Sequence, residues 1–385
     1  MKADVIKVVG VGGAGVRFVD RLASDNVSVP AVLAMDTDAE ALDRSRASVK
    51  LQLGEPRTKG LGAGGDPAIG CDAAEDDREM IRTALSGCEL VLAVAGLGGG
   101  TGSGALPVVL RIAREEGITA FAFVTLPFTI EGNERKLKSD RVFVGLRGLC
   151  DGLIVVPNDR LADAVNAERV SETFDGAARI LGNGVRSLWK LLVSPSYLRL
   201  SLADLTELFR QSGRVCAFGY GEGVGPDRAV QAVRGLLGSS LLGRGRLLST
   251  ARFLLVSVLG NEGLRVREVR EIMEAVSGAV AQPDVRQWVG VTADEDWDDS
   301  VSVTALLSDQ WLQEVANVEP LGAAGAEPAR AADARAAKTV ELTQASLEFG
   351  GIGNKGRFRN VEPTMLDGED LDIPTFIRRG ITLDR

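Results

Sequence analysis

The sequence predicts an α/β protein: a doubly wound parallel-sheet domain, a long central helix, a smaller α/β C-terminal domain, then a disordered linker and a tail peptide. Two observations carry the fold class. Short apolar runs alternate with amphipathic helical stretches along the first 160 residues. Clustered glycines also fall where those runs end, which is where the strands of such a sheet meet their ligands.

The runs are Val5–Val11, Ala31–Met35, Leu90–Ala95, Ala120–Thr125 and Leu153–Val156. Each is rich in Val, Leu, Ile or Ala without strict alternation, as strands covered on both faces should be. Between them Val16–Ala23, Pro67–Leu85, Ala105–Glu116 and Glu134–Leu149 read as helices. Helical periodicity then holds from about Asp163 to Leu192, long enough for a spine between two domains. Beyond Pro195, strands are expected at Arg214–Tyr220, Ala251–Leu259, Gln287–Val291 and Val301–Leu306, with helices at Leu202–Gln211, Pro226–Leu237 and Val266–Val276. The expected organisation is therefore a first domain over 1–162, a core helix over 163–194 and a second domain over 195–310. Glu319–Lys338 carries nine alanines and neither aromatic nor β-branched residues, and 311–368 is read as a disordered linker. Residues 369–385 end the chain with a hydrophobic-plus-basic peptide, either a docking element on a tether or a tail folded back on its own domain.

Composition narrows the chemistry. The chain has 385 residues, 45% apolar and 25% charged, as an ordinary globular protein does. It has no histidine, which removes Ser-His-Asp triads, Cys-His pairs and His-ligated zinc. The net charge of −9 argues against nonspecific nucleic-acid binding. Cys71, Cys88, Cys150 and Cys216 form no CxxC pair, so structural thiols in a reducing compartment are expected. The first residues run straight into a strand without an apolar leader segment, and no apolar stretch nears the ~18 residues of a membrane span. A soluble cytoplasmic protein is the expectation.

Glycine is the anomaly, with 46 residues against a usual ~7% of a chain. The first cluster follows a strand: Gly10-Val11-Gly12-Gly13-Ala14-Gly15, then Val16 and Arg17. Its GxGxxG spacing, with Asp36 ending the next strand, suits a dinucleotide site or a packed strand–helix turn. The second cluster is richer: Gly98, Gly99, Gly100, Thr101, Gly102, Ser103 and Gly104 lie between a strand and a helix. Successive backbone N–H groups there surround an anion at the positive end of a helix, and Thr101 and Ser103 add hydroxyls. No lysine follows the last glycine, so this is not a Walker A loop. Two phosphate-cradling loops on neighbouring strands exceed the needs of one dinucleotide pyrophosphate and suit a nucleoside di- or triphosphate.

Gly98–Gly104 resembles the signature loop of the tubulin/FtsZ GTPase family, and most of the chain resembles that family's bacterial FtsZ branch, from Val5 to about Leu307. Thr58–Pro67, including Gly64 and Gly65, resembles a third phosphate-side loop; Pro127–Gly132 and Pro157-Asn158-Asp159 also match. Asp372, Ile373, Pro374, Thr375, Phe376, Ile377 and Arg378 are similar to the family's tail peptide.

The resemblance implies a GTP-hydrolysing protein that polymerises head to tail and scaffolds the mid-cell division ring. GTP or GDP would be the nucleotide, with Mg2+ held through its phosphates. Membrane tethers or regulators would bind the tail, and neither nucleic acid nor a membrane span is implied. Glu131 would hold ribose hydroxyls and Arg135 would reach phosphate or sugar; unaided, that i,i+4 pair reads as a surface ion pair. Phe174 would stack on the base, or else pack in the core. Asp204, with Ser201 in support, would act on the neighbouring subunit's nucleotide; Asp204 also fits a first-turn helix acid after a Ser201 cap.

Departures from the family pattern are chemically pointed. Arg199 and Ser201 replace the first two polar members of Asn-x-Asp-x-x-Asp, leaving Asp204. Arg179 falls where the family has the guanine-reading Asp, with Asp175 one turn earlier. Arg17 and Asp36 each stand where Asn is common, and Arg17 would favour phosphate. Two further readings follow: a hydrolysis-poor filament scaffold, and, from the GxGxxG spacing alone, an NAD(P)-dependent oxidoreductase.

Overall fold

The apolar runs of the first half become strands because side chains on both of their faces have a helix layer to pack against. The computed structural model describes residues 5–24, 31–165, 169–194, 196–211, 214–294, 297 and 299–308, with 365–366 and 369–370. The expected tail motif Asp372–Arg378 and almost all of the expected linker lie outside the described residues.

The first half runs β1 (Ile6–Val11), α1 (Gly12–Ser24), β2 (Ala31–Asp36), α2 (Ala39–Arg44), β3 (Val49–Gln52), α3 (Glu55–Thr58), α4 (Pro67–Asp76), α5 (Arg78–Leu85), β4 (Leu90–Gly96), α6 (Thr101–Glu115), β5 (Thr119–Leu126), α7 (Asn133–Leu146), β6 (Gly152–Pro157) and α8 (Asn158–Val165). The spine α9 (Val170–Val193) follows, then β7 (Ser196–Leu198), α10 (Leu202–Gln211), β8 (Val215–Val224), α11 (Arg228–Gly238), α12 (Arg246–Ser249), β9 (Phe253–Gly260), α13 (Val266–Ala279), β10 (Arg286–Ala293) and β11 (Ser300–Ser308). A separate two-stranded pair, β12 (Met365–Leu366) with β13 (Glu369–Asp370), belongs to the second compact unit of the chain.

All the strands from β1 to β11 join one sheet in the order β3-β2-β1-β4-β5-β6-β8-β11-β9-β10-β7. The six strands of the first half are parallel. A strand expected in the second domain thus extends the first sheet directly: β8 pairs with β6 over Leu153↔Val215 to Val155↔Ala217. Beyond it the sheet becomes mixed, because β11 runs antiparallel to both β8 and β9. Alternate residues of one strand feed two cores. Ile6 and Val8 pack with α1 and α9, whereas Val9 and Val11 pack with α4, α5 and α6.

The spine buries Leu181, Val185, Leu188, Trp189 and Leu192, a helical stripe at i, i+4, i+7, i+8 and i+11. Near its end the buried Lys190 meets Asp294 at 2.5 Å, and Ser194 Oγ donates to the same carboxylate at 3.0 Å. Burial of two charges is tolerated because each satisfies the other. The spine begins later than the periodicity predicted. Asn158–Val165 forms a separate helix, and Val170 starts the spine.

The expected single helix over Pro67–Leu85 is divided at Asp77, whose carboxylate accepts from Gly54 N at 2.6 Å. Among the cysteines, Cys88, Cys150 and Cys216 are buried, Cys71 is half-buried, and all four are free thiols. Burial pushes the Cys150 thiol up to about 12, which leaves it inert at neutral pH. Among the described residues no helix is long and apolar enough to cross a membrane.

Candidate functional site

β1 and β4 are hydrogen-bonded neighbours, with Val11 opposite Ala95, so the loops that leave their carboxyl ends lie side by side. Together with the ends of β5 and β6 they enclose a cleft of about 660 Å3. Gly12, Gly13, Ala14 and Arg17 line it from α1, and Gly99, Gly100, Thr101 and Gly102 from the turn into α6. Glu131, Arg135, Asn158 and Phe174 complete the set that the sequence brought forward. Gly96, Leu97, Thr125, Phe128, Ile130 and Thr173 also line it and were not singled out. Phe128 and Ile130 sit within a segment already matched to the family, so their position carried the missing signal. Thr173 adjoins Phe174 in sequence.

The glycines divide into two kinds. Some are required by the fold. A Cβ on Gly15 would stand 2.4 Å from the Val94 carbonyl oxygen, and one on Gly102 would stand 2.4 Å from that of Gly96. Gly12 combines φ +72° with a would-be Cβ 2.6 Å from Gly102 N, so the two loops touch through backbone alone. Gly13 and Gly99 differ: a Cβ on either would meet nothing within 4 Å. Both line the cleft, so what these bare positions keep open is the cleft itself, for a ligand that approaches the backbone closely.

The hydroxyls are placed otherwise than expected. Ser103 is buried, and its Oγ accepts from Gly98 N at 2.8 Å, holding the loop in shape rather than facing the cleft. Thr101 Oγ1 lies 2.6 Å from Thr37 Oγ1 while its residue still lines the cleft. Asp36 is buried at the end of β2, where its Oδ1 accepts from Thr37 N at 2.7 Å and Asp38 N at 3.3 Å. Burial pushes its carboxyl above the usual range, against the pull of those backbone donors. It does not line the cleft, nor do Gly15, Val16, Gly64, Gly65, Gly98 and Gly104.

At the opposite wall Glu131 Oε1 accepts from Phe128 N at 2.7 Å, and its Oε2 pairs with Arg135. The ion pair and the cleft position are therefore one arrangement. Phe174 is 42% exposed, edge-on to Phe128 with ring centres 6.0 Å apart. It is an open aromatic platform and not a core residue.

The chain matches the Tubulin/FtsZ family GTPase domain over residues 5–166 and the FtsZ family C-terminal domain over residues 215–310. Among solved structures it is similar to an FtsZ dimer from M. jannaschii at 34% identity and TM-score 0.71, covering 80% of this chain and 88% of that one. The chain belongs to the tubulin/FtsZ family. Similarity to a GTPγS-bound CetZ2 protofilament from Haloferax volcanii, at 22% identity and TM-score 0.67 over 82% and 96% of the two chains, shows the shared fold. CetZ1 from the same organism, a GDP-bound monomer, is similar at 22% identity and TM-score 0.66 over 82% and 98%. The Gly10-Gly12-Gly15 spacing, which also suited an oxidoreductase, thus lies inside a tubulin/FtsZ GTPase domain.

Three remaining residues stand apart from the cleft of their own chain. Arg179 is exposed on α9 and does not line it. Ser201 and Asp204 open α10 as a reciprocal cap: Asp204 Oδ2 accepts from Ser201 N at 2.8 Å and Ser201 Oγ at 2.6 Å, and Asp204 N donates to Ser201 Oγ at 3.1 Å. The Ser201 hydroxyl, then its backbone N–H, hold the Asp204 carboxyl below the usual carboxylate range. A group depressed in the folded state stabilises it above its unfolded pKa, and that support is lost as pH falls through the folded value. The cap therefore persists throughout neutral and mildly acidic conditions. Ser201→Ala is expected to cost about 1 kcal/mol, a usual capping value, and to shift acid unfolding to higher pH. Urea unfolding at pH 7 and an acid titration followed by circular dichroism measure both; an unchanged midpoint in each would contradict the cap's role.

Proposed function

We propose that this chain is a GTP-binding, GTP-hydrolysing protein that assembles head to tail into filaments and scaffolds the cytokinetic ring of a dividing bacterial cell. The observation that carries the reading is the pair of cleft-facing positions, Gly13 and Gly99, whose missing side chains the fold itself does not require. Backbone N–H groups there, at the start of α1 and α6, suit the α, β and γ phosphates. Mg2+ would be carried by phosphate oxygens and water. Glu131 suits ribose hydroxyls, Arg135 the adjoining phosphate or sugar, and Phe174 the base.

Completion of the site between subunits is supported by position. Ser201 and Asp204 do not line the cleft of their own chain: Ser201 ends the loop after β7, and Asp204 lies in the first turn of α10. That loop follows exposed Tyr197 and Leu198, and the cleft is rimmed by Ile130, 91% exposed. Two different apolar surfaces that meet head to tail generate an open filament rather than a closed dimer. Held ionised, Asp204 would orient the attacking water beside the terminal phosphate. The tail peptide Asp372–Arg378 would dock membrane tethers or regulators, with the protein itself cytoplasmic.

A second reading, the hydrolysis-poor scaffold, is favoured by Arg199 and by the hydrogen bonds that tie Asp204 to Ser201. Sedimentation with GTP, GDP, ATP or no nucleotide, paired with phosphate release, separates the two. GTP-dependent pelleting with turnover is the expected result, whereas pelleting with little turnover supports the scaffold. Equal pelleting without nucleotide would overturn nucleotide-controlled assembly.

A further inference from the structure

Arg17 lies on α1, two residues beyond the last glycine of the first loop. Its guanidinium carbon lies 5.7 Å from the centre of the Phe174 ring. Arg17 lines the main cleft and also a neighbouring cavity of about 730 Å3, and Phe174 is shared by the two as well. Among the described residues it enters no ion pair, and its recorded contact is this cation–π one. The cleft's other charged groups are engaged, since Glu131 pairs with Arg135 and accepts from Phe128 N.

Guanine presents two donors, N1–H and the 2-amino group, on one edge and two acceptors, O6 and N7, on another. A carboxylate reads the first edge well, but Arg179 has no acceptor and does not line the cleft. Asp175 lines the neighbouring cavity and not the cleft. The Arg17 guanidinium is the lining group placed at the Phe174 ring, and Asn158 and Thr173 line the same cleft.

We propose that Arg17 is the base-specificity residue, its guanidinium reading the O6/N7 acceptor edge of a purine stacked on Phe174, with the 2-amino group left unread. The inference rests on the guanine-nucleotide reading of the cleft. A planar fork of N–H donors matches two adjacent acceptors. Adenine places its N6 donors where O6 would be and meets the same fork with a donor, so it is refused. The cation–π contact keeps the guanidinium at the platform before the base arrives, which lowers the ordering cost of reading it.

The test is competition binding of GTP, ITP, 7-deaza-GTP and ATP to the full chain and to Arg17→Ala, with thermal unfolding of both proteins as the check on folding. ITP lacks the 2-amino group and is expected to bind within roughly threefold of GTP. Loss of N7 in 7-deaza-GTP should weaken binding by about tenfold, and ATP should bind about 10- to 100-fold more weakly than GTP. In Arg17→Ala the preference for GTP over ATP should collapse. ITP binding more than about tenfold weaker than GTP would overturn the proposal, because a missing 2-amino group would then cost a hydrogen bond to the base. So would an Arg17→Ala protein that loses affinity for all four nucleotides equally, since that marks a charge acting on phosphate. Absence of any GTP binding would overturn the parent reading as well, whereas tight GTP binding with rejection of ITP overturns this one alone.

Discussion

Asp204→Ala is expected to cut GTP turnover by roughly 100-fold or more, the usual weight of a positioned acid–base or water-orienting group, while leaving GTP binding to the unassembled chain intact. The separation follows from location: Asp204 is exposed on α10 and does not line the cleft of its own chain. The Ser201 hydroxyl and backbone N–H hold its carboxyl below the usual range, which favours the ionised form at neutral pH. An acid so held is a poor proton acceptor at neutral pH and a good fixed charge for orienting water. Turnover should therefore show no inflection from Asp204 between about pH 5 and 8. Alanine also removes the cap, so Asp204→Asn is the cleaner variant. Its amide oxygen still accepts from Ser201, its charge is gone, and it should be nearly as inactive as alanine with helix stability close to wild type. Wild-type phosphate release from Asp204→Asn would remove Asp204 from the chemistry.

Gly99→Val and Gly104→Ala are expected to fail in opposite ways. A Cβ at Gly99 meets nothing within 4 Å and Gly99 lines the cleft, so the chain is expected to fold normally and lose nucleotide affinity. The expected loss is about 100-fold or more, the equivalent of one or two hydrogen bonds to a charged phosphate. At Gly104 a Cβ would stand 2.1 Å from Pro67 O and 2.5 Å from Cys71 N, both backbone atoms where α6 crosses α4. Alanine gains about 1 kcal/mol of helix propensity there, but the forced shift of packed backbone outweighs it, for a net loss of about 2–3 kcal/mol. Urea unfolding and nucleotide competition on both variants give the two readouts. A Gly99→Val protein that binds GTP normally, or a Gly104→Ala protein as stable as wild type, would contradict the division of the glycines into those the fold needs and those the ligand needs.

Much of this site was legible in the sequence because it is local. A strand followed by Gly12-Gly13-Ala14, and another followed by Gly98–Gly104, announce backbone approach to an anion without any tertiary information. What the sequence left open was decided by contacts distant along the chain. Phe174 reads equally as core or platform until Phe128, 46 positions earlier, is seen edge-on beside an exposed ring. Ser103 looks like a phosphate ligand until its hydroxyl is found accepting from Gly98 N. Nor does the sequence show that Asp36 is buried or that the Arg17 guanidinium carbon lies 5.7 Å from the centre of the Phe174 ring.

At the level of the fold, the central strands announce themselves by continuous apolar runs, whereas β3 and β7 are short strands at the two edges of the sheet. Exposure on Val49 and Lys50, and on Tyr197 and Leu198, dilutes the pattern that marks a buried strand. The joining of the two halves into one sheet rests on the short β6–β8 register, which no local signal carries. Asp77 divides the expected Pro67–Leu85 helix through a bond to Gly54, again a distant partner.

In the proposed mechanism a nucleotide held by the glycine cradle of one chain is hydrolysed with the help of Asp204 from the next. Mixing two inactive proteins tests it most directly. Asp204→Asn keeps its cradle and lacks the acid, and Gly99→Val keeps the acid and lacks the cradle. Wherever an Asp204→Asn cleft meets the Asp204 of a Gly99→Val neighbour, one complete site forms, so phosphate release should rise well above the sum of the two proteins measured alone. A mixture as inactive as its components, under conditions where light scattering shows the two proteins co-assembling, would contradict this mechanism.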